Sequence, residues 1–280
     1  MENQNLSQVM HRITTGNVFP RGSIEEELYF VSTCISTYKN SYSQALQDTW
    51  VLYESGNKRN GFFVDFGAAD GLNSSNSYQL LKEYNWAGIR VEPNPDYQAP
   101  LEMNSSPLVR AVTGICVAGK SNEMVDFVIG DDPTLATTYK IVDENGKELP
   151  FQDHSGKVLR LPTISLLDLL RTSNSPKHID YISVDTEGTE LEILTAFDFD
   201  EYSVDMWTIE YNNDIDKMHD LSNLMFAHNY VLRFPSYSRM DLWFIKRELV
   251  ENKNLAIQRP AHRKRTIKTR QIQEITIEEL

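Results

Sequence analysis

Between Phe62 and Ile245, short apolar runs bounded by glycine, asparagine or proline alternate with stretches whose apolar residues recur every three or four positions. The first kind predicts buried parallel strands and the second predicts amphipathic helices packed across them. Phe62–Phe66 is such a run, and it ends in Gly67-Ala68-Ala69-Asp70-Gly71. Ser74, Ser75 and Asn76 then offer caps to a helix whose Ser77, Leu80, Leu81 and Tyr84 share one face. Gly88–Pro93 follows as a second strand that stops at Glu92. Strand, tight loop, helix and strand within about thirty residues make a βαβ unit.

The alternation continues. Leu108–Val112 and Met124–Ile129 read as strands, and Ser165 with Asp168 caps an apolar helix over Leu166–Leu170. Ile179–Asp185 reads as a strand followed by a helix over Glu190–Phe197, and Met206–Glu210 as another strand. Met218, Leu221, Met225 and His228 fall on one helical face, and Val231–Phe234 with Leu242–Ile245 form a closing strand pair. Residues 130–157 are polar and turn-rich, which predicts an insertion or lid. Upstream, Ala45, Leu46, Trp50 and Val51 recur at helical spacing, and Ile24 to Tyr38 has weak helical character without a motif. The pattern predicts one α/β core over residues 43–250, an N-terminal extension 1–42 and a charged tail 251–280.

Composition narrows the partners. The 280 residues are 40% hydrophobic and 10% aromatic, enough for a folded interior. A net charge of −13 repels a polyphosphate backbone, so no nucleic acid partner is expected. The basic cluster Arg259, Arg263, Lys264, Arg265, Lys268 and Arg270 is followed at once by Glu274, Glu278 and Glu279, and reads as a solvated tail. Cys34 and Cys116 are the only cysteines, which argues against a disulfide framework or a zinc site. Met1–Thr15 lacks a secretory apolar region and no run approaches a membrane span, so a cytoplasmic location without a membrane partner is expected. The histidines, among them His154, His178 and His219, show no ligand spacing.

Chemistry concentrates at strand ends. In a doubly wound sheet a ligand sits beyond the carboxyl ends of the strands, and Asp65, Glu92, Asp185 and Glu210 all fall there. A dinucleotide-binding turn needs three spaced glycines, whereas the matching positions here are Gly67, Ala69 and Leu72. This disfavours a nucleotide-cofactor oxidoreductase or epimerase, as does the lack of a Tyr-x-x-x-Lys pair. S-adenosylmethionine has no phosphate. A glycine-flanked loop with Asp65 nearby suits its ammonium and sulfonium region, and Glu92 can accept both ribose hydroxyls. A non-catalytic protein that binds this cofactor is the remaining alternative.

Ser43-Gln44 with Gln47-Asp48, then VDFGAADG over Val64–Gly71, Ser75-Asn76, GIRVEPN over Gly88–Asn94 and DYISVDTEGTELEIL over Asp180–Leu194 together resemble FkbM-type methyltransferases across residues 43–245. The resemblance implies a Rossmann-like class I methyltransferase sheet, mostly parallel and ending in an antiparallel strand pair. It also implies O-methylation of a sugar or metabolite hydroxyl, with a small-molecule or glycan acceptor. Carried to matching positions, it puts Asp65, Gly67 and Asp70 at the methionine end of the cofactor, Glu92 at the ribose, and Gln44 and Asp48 over the cofactor. Gln44 and Asp48 lie four apart, the spacing of one helical face. Ala69 departs from the family, which often has Asn there.

A sugar hydroxyl is a poor nucleophile until its proton leaves, so a carboxylate base or a divalent metal is needed. Asp185, Glu187 and Glu210 are the candidate bases, and Asp185, Glu210 and Asn212 form a candidate oxygen-rich site for magnesium or manganese. Asp131, Asp132 and Tyr139 in the candidate lid could contact a sugar ring, and the acidic cluster favours a neutral or cationic acceptor over a phosphorylated one. Oligomeric state leaves no mark in the sequence.

Overall fold

The computed structural model describes residues 24–130, 137–138, 141–142, 148–149 and 156–258. Its main sheet contains β1 (Phe62–Phe66), β2 (Ala87–Glu92) and β3 (Val109–Thr113), which run parallel in that order toward one edge. A second sheet, described below, holds β4 (Cys116–Ala118), β5 (Met124–Ile129), β6 (Thr137–Thr138) and β9 (Lys157–Ser165), while β7 (Ile141–Val142) pairs with β8 (Glu148–Leu149). The chain then returns to the main sheet. β10 (His178–Val184) lies beside β1, followed outward by β11 (Ser203–Glu210), β13 (Asp241–Lys246) and β12 (Tyr230–Arg233). β10 and β11 are parallel to β1, whereas β13 is antiparallel to both β11 and β12. Strand order therefore reverses between β1 and β10, and the crevice that such a reversal opens lies at their carboxyl ends.

Period-two alternation sends successive side chains to opposite faces. Val64, Ile182 and Val184 face a layer containing Leu166, Ile193, Leu221 and Met225, while Phe63, Tyr181 and Trp243 face Phe30, Trp50 and Leu80. The α-helices are α1 (Ile24–Thr37), α2 (Gln47–Ser55), α3 (Tyr78–Tyr84), α4 (Gln98–Met103), α5 (Leu166–Thr172), α6 (Glu190–Thr195), α7 (Ile215–Ala227) and α8 (Arg247–Gln258), and all but α4 contribute to these layers. Ser165 caps α5 as its spacing predicts, accepting from the Asp168 amide at 3.1 Å.

α1, which carries no motif, is part of the core. Phe30 is fully buried and stacks on Phe234 with ring centroids 4.2 Å apart. Arg233, itself buried, pairs with Glu26 of α1 and donates to Glu54 Oε1 of α2 at 2.8 Å, so a desolvated charge is satisfied only when both helices are docked.

Met124–Ile129 is a strand, as expected, but it does not extend the main sheet. It pairs antiparallel with β9, which is parallel to β4 on its other side. The expected lid begins inside this second sheet, with Phe127 and Val128 of β5 opposite β6.

Candidate active site

A cleft of ≈ 420 Å³ lies beyond the carboxyl ends of β1, β2, β10 and β11 and brings Gln44, Asp65, Gly67, Asp70, Glu92, Asp185, Glu187 and Glu210 to one surface. Gly67 sits at φ 72°, and a Cβ there would meet the Asp185 carbonyl oxygen at 2.1 Å. The requirement for glycine therefore comes from the approach of two strand ends, not from room for a cofactor. The amides of Gly67 and Ala68 both donate to the Val91 carbonyl, at 3.1 and 3.2 Å, which folds the loop back over β2.

That fold aims the Ala69 amide at Glu92 Oε2 (2.9 Å), while the Asn94 amide reaches Glu92 Oε1 (2.8 Å). Burial pushes the Glu92 carboxyl up and the two amides pull it down. Each oxygen keeps a second lone pair, so a diol could still be bound. Asp65 accepts from Ser77 Oγ at 2.5 Å, and Ser77 in turn accepts from Arg90 Nε at 3.0 Å. Burial raises Asp65, opposed by the Arg90 guanidinium. Asp70 turns inward on its own loop, accepting from the amides of Leu72 and Asn73 at 2.9 and 2.8 Å. Substituting Glu92 with alanine is expected to weaken S-adenosylmethionine binding by about 1.5–3 kcal/mol, the range for hydrogen bonds to a charged group. Isothermal calorimetry on the folded variant checks this, and unchanged affinity removes Glu92 from the ribose.

Asp48 lies elsewhere. It is fully buried and accepts from Ser41 Oγ (2.6 Å), the Tyr42 amide (2.8 Å), Ser43 Oγ (2.8 Å) and the Thr49 amide (2.7 Å). The helical face inferred for Gln44 and Asp48 does not exist, because α2 begins at Gln47 after Leu46 takes a left-handed φ of 67°. Gln44 precedes the helix at the cleft rim. Asp48 shapes the 41–44 segment, where Ser43 bridges Ser74 of the cofactor-loop side.

Asp185, Glu187 and Glu210 each present a carboxylate oxygen within 4.8 Å of the others. Withdrawal from water, then the neighbouring Glu210, holds the Asp185 carboxyl well above its usual range. Glu210 is pushed up to about 7, chiefly by burial, with Glu187, Asp241 and Glu190 adding to it. Asp241, at the start of β13, is also raised by burial, to about 6, although Gln47 Nε2 donates to its Oδ2 at 2.6 Å. Asp241 had no signal in the sequence that pointed to this site, and Gln47 appeared only inside the Gln47-Asp48 pair, without a role of its own.

Asn212 is exposed at φ 53°, and its Nδ2 donates to Glu187 Oε2 at 3.2 Å. Among the described carboxylates of the cleft, Glu187 joins Asp185 and Glu210 as a group that could hold a cation together. Glu190 explains the second half of the Asp-Thr-Glu-Gly-x-Glu segment. Its buried carboxylate accepts from the amides of Thr186 and Gly188, each at 3.0 Å, and from Lys217 Nζ at 2.5 Å, bracing the left-handed turn that carries Glu187.

At the opposite end of the sheet, His178 lies 3.2 Å from Asp205 and 3.7 Å from Asp180, so it does join two potential ligands. Lys58 pairs with Asp180 and the charge of Lys246 acts on Asp205, which balances this cluster without an ion. Asp131, Asp132, Tyr139 and His154, and the basic cluster from Arg259 to Arg270, lie outside the described residues.

The sequence matches the methyltransferase FkbM domain over residues 65–232, more than half of the chain. It belongs to the FkbM methyltransferase family. Among solved structures, this FkbM methyltransferase is similar to the precorrin-6y C5,15-methyltransferase of Geobacter metallireducens, with 13% identity and a TM-score of 0.37 over 71% of this chain and 85% of that one. The human methyltransferase 10 domain-containing protein gives 11% identity and a TM-score of 0.40 over 82% of this chain and 99% of that one. The METTL16 methyltransferase domain gives 12% and 0.41, with 80% of each chain covered. No curated protein matches significantly.

Family membership makes S-adenosylmethionine the methyl donor, and the cleft suits it. Its volume falls within the usual range for small-ligand sites. The carboxyl groups of Asp65, Asp70, Glu92, Asp185, Glu187 and Glu210 line it, and no lysine, arginine or histidine of the described residues joins them, a setting that favours a sulfonium cation. No described helix of this FkbM methyltransferase is long and apolar enough to cross a membrane.

Proposed function

We propose that this FkbM methyltransferase transfers the methyl group to a hydroxyl of a sugar, glycan or related small metabolite, with the Asp185–Glu210 carboxyl pair taking the hydroxyl proton. The observation that carries this reading is Glu210, a buried residue of the cleft lining whose carboxyl is held at about 7. A general base works best when its pKa lies near the working pH, and an ordinary surface glutamate would be too weak a base. Bound S-adenosylmethionine supplies a methyl group on a sulfonium leaving group. The acceptor oxygen forms the new bond to carbon while the carbon–sulfur pair stays on sulfur, and the hydroxyl proton passes to the carboxyl pair. Glu92 and the Gly67–Ala69 loop fix the cofactor side, and the Glu190-braced turn fixes Glu187 beside the acceptor. Positioning of this kind supplies much of the rate in a displacement.

The test is incubation with isotopically labelled cofactor and a panel of glycans and small hydroxylated metabolites, followed by mass spectrometry. A gain of one methylene on an oxygen is expected. Labelling confined to nitrogen, carbon or RNA would remove the hydroxyl assignment.

A divalent cation is the second reading, favoured by the three carboxylate oxygens within 4.8 Å of one another. Such a hard-oxygen set fits magnesium or manganese, which would lower the acceptor hydroxyl's pKa. If it holds, excess chelator abolishes turnover and added magnesium or manganese restores it. Full activity in chelator leaves the carboxyl pair as a metal-free base.

A further inference from the structure

Beside the cofactor cleft, and sharing Asp185, Glu210 and Asn76 with it, lies a recess of ≈ 20 Å³ that is also bounded by Asp241, Gln47 and Arg239. One small polar group fills such a space, since a single water needs about 10–15 Å³. Two of the oxygen atoms on its walls stand without a hydrogen-bond partner. Glu210 is 6% exposed and its Oε2 is unpartnered, and so is the buried Oδ1 of Asn76. Three side-chain donors around the recess are directed elsewhere. Gln47 Nε2 donates to Asp241 at 2.6 Å, Asn76 Nδ2 to Ser183 Oγ at 2.9 Å, and Arg239 Nη1 to the Gln44 carbonyl at 3.4 Å.

The buried wall atoms that lack a partner are thus both acceptors. A hydroxyl would satisfy one acceptor and bring lone pairs against the others. A primary ammonium carries three donors and no acceptor, and its charge answers the carboxylates. Among the described residues, Asp185, Glu210 and Asp241 form no ion pair with lysine or arginine, and only the field of Arg239 reaches Asp241.

We propose that this recess binds a primary ammonium group of the methyl acceptor, so that the acceptor is an amino sugar or a similar hydroxylated amine. The proposal rests on the hydroxyl-acceptor reading for where the methyl goes and narrows it to a substrate class.

The experiment titrates the full chain, saturated with S-adenosylhomocysteine, with D-glucosamine and with D-glucose at neutral pH, read by calorimetry. Glucosamine is expected to bind at least about ten-fold more tightly than glucose. In Asp241→Asn and Glu210→Gln variants that keep a cooperative melting transition, this ratio is expected to fall to within about three-fold. Equal affinities in the wild-type chain, the absence of saturable glucosamine binding, or a ratio that survives both substitutions each overturn the proposal. So does magnesium binding that Asp241→Asn abolishes and that displaces glucosamine, because the recess would then belong to a metal. Methylation of neutral glycan hydroxyls with no preference for amines sinks the ammonium seat and leaves the hydroxyl reading standing. Preferential glucosamine binding with no oxygen methylation does the reverse.

Discussion

Replacing Gly67 with valine is expected to destabilise the protein by about 3–5 kcal/mol, summing left-handed backbone strain and overpacking. Two causes act at once at this residue. Its φ of 72° disfavours any side chain, and the added Cβ would sit 2.1 Å from the Asp185 carbonyl oxygen, which belongs to backbone and cannot swing aside. Gly114 separates the two causes. It has the same φ of 72° but nothing within 4 Å of its would-be Cβ, so Gly114→Ala should cost only about 1 kcal/mol. Urea denaturation of Gly67→Ala beside Gly114→Ala reads the difference. Equal losses would mean that the contact with Asp185 is not what demands glycine. The contact matters for chemistry because it sets the distance between the cofactor loop and the strand end that carries the base.

The second large effect is expected at Glu210. Substitution by glutamine should lower turnover by about 10²–10⁴-fold, the usual contribution of a general base, with S-adenosylmethionine affinity much less affected. Activity and stability should respond to pH in opposite directions. The base works when deprotonated, so the wild-type rate rises as pH passes through the Glu210 value of about 7. Stability falls over the same interval. The folded carboxyl binds its proton more tightly than in the unfolded chain, where the ordinary value is 4.5. The stabilisation is therefore complete below that ordinary value and lost as pH rises through the folded one. Asp241, raised to about 6, acts in the same direction. Melting temperature should thus decline between about pH 5 and pH 8, and Glu210→Gln should flatten the decline. A wild-type melting temperature that rises across this window would show that Glu210 is not held protonated.

The centre of the main sheet was legible because β1, β2, β10 and β11 are largely buried on both faces, which writes them as predominantly apolar runs ending near Gly67, Glu92, Asp185 or Glu210. The second sheet was not. β4 is three residues long, and β9 alternates exposed with half-buried positions and contains Pro162, so neither forms such a run. Its pairing partner β5 lies far away in sequence, with Asp126 opposite Arg160. The helical face expected to join Gln44 and Asp48 failed for a local reason. Apolar spacing suggested a helix already under way at Ala45, and nothing in the residue type of Leu46 announces a left-handed break. Asn212 is near Glu210 in sequence, yet it is exposed at a positive φ, and its amide donates to Glu187. Gln47 and Asp241 meet across 194 positions, a distance that no motif spans. Glu190 did leave a trace, in the repeated acidic positions around Gly188, although its task of holding the turn's amides shows only in three dimensions.

The position of β13 sets the practical size of this protein. The segment shared with the family ends at Leu232, within β12, yet the strand lying between β12 and β11 is β13, which comes later in the chain. A fragment trimmed to the shared segment would leave β11 with a row of open peptide groups, a template for pairing with other chains and hence for aggregation. It would also lose Trp50 and Trp243, which stack at 5.3 Å from opposite sides of that segment. The two indoles form a built-in fluorescent reporter, since their emission will register whether the flanking parts of the chain are seated.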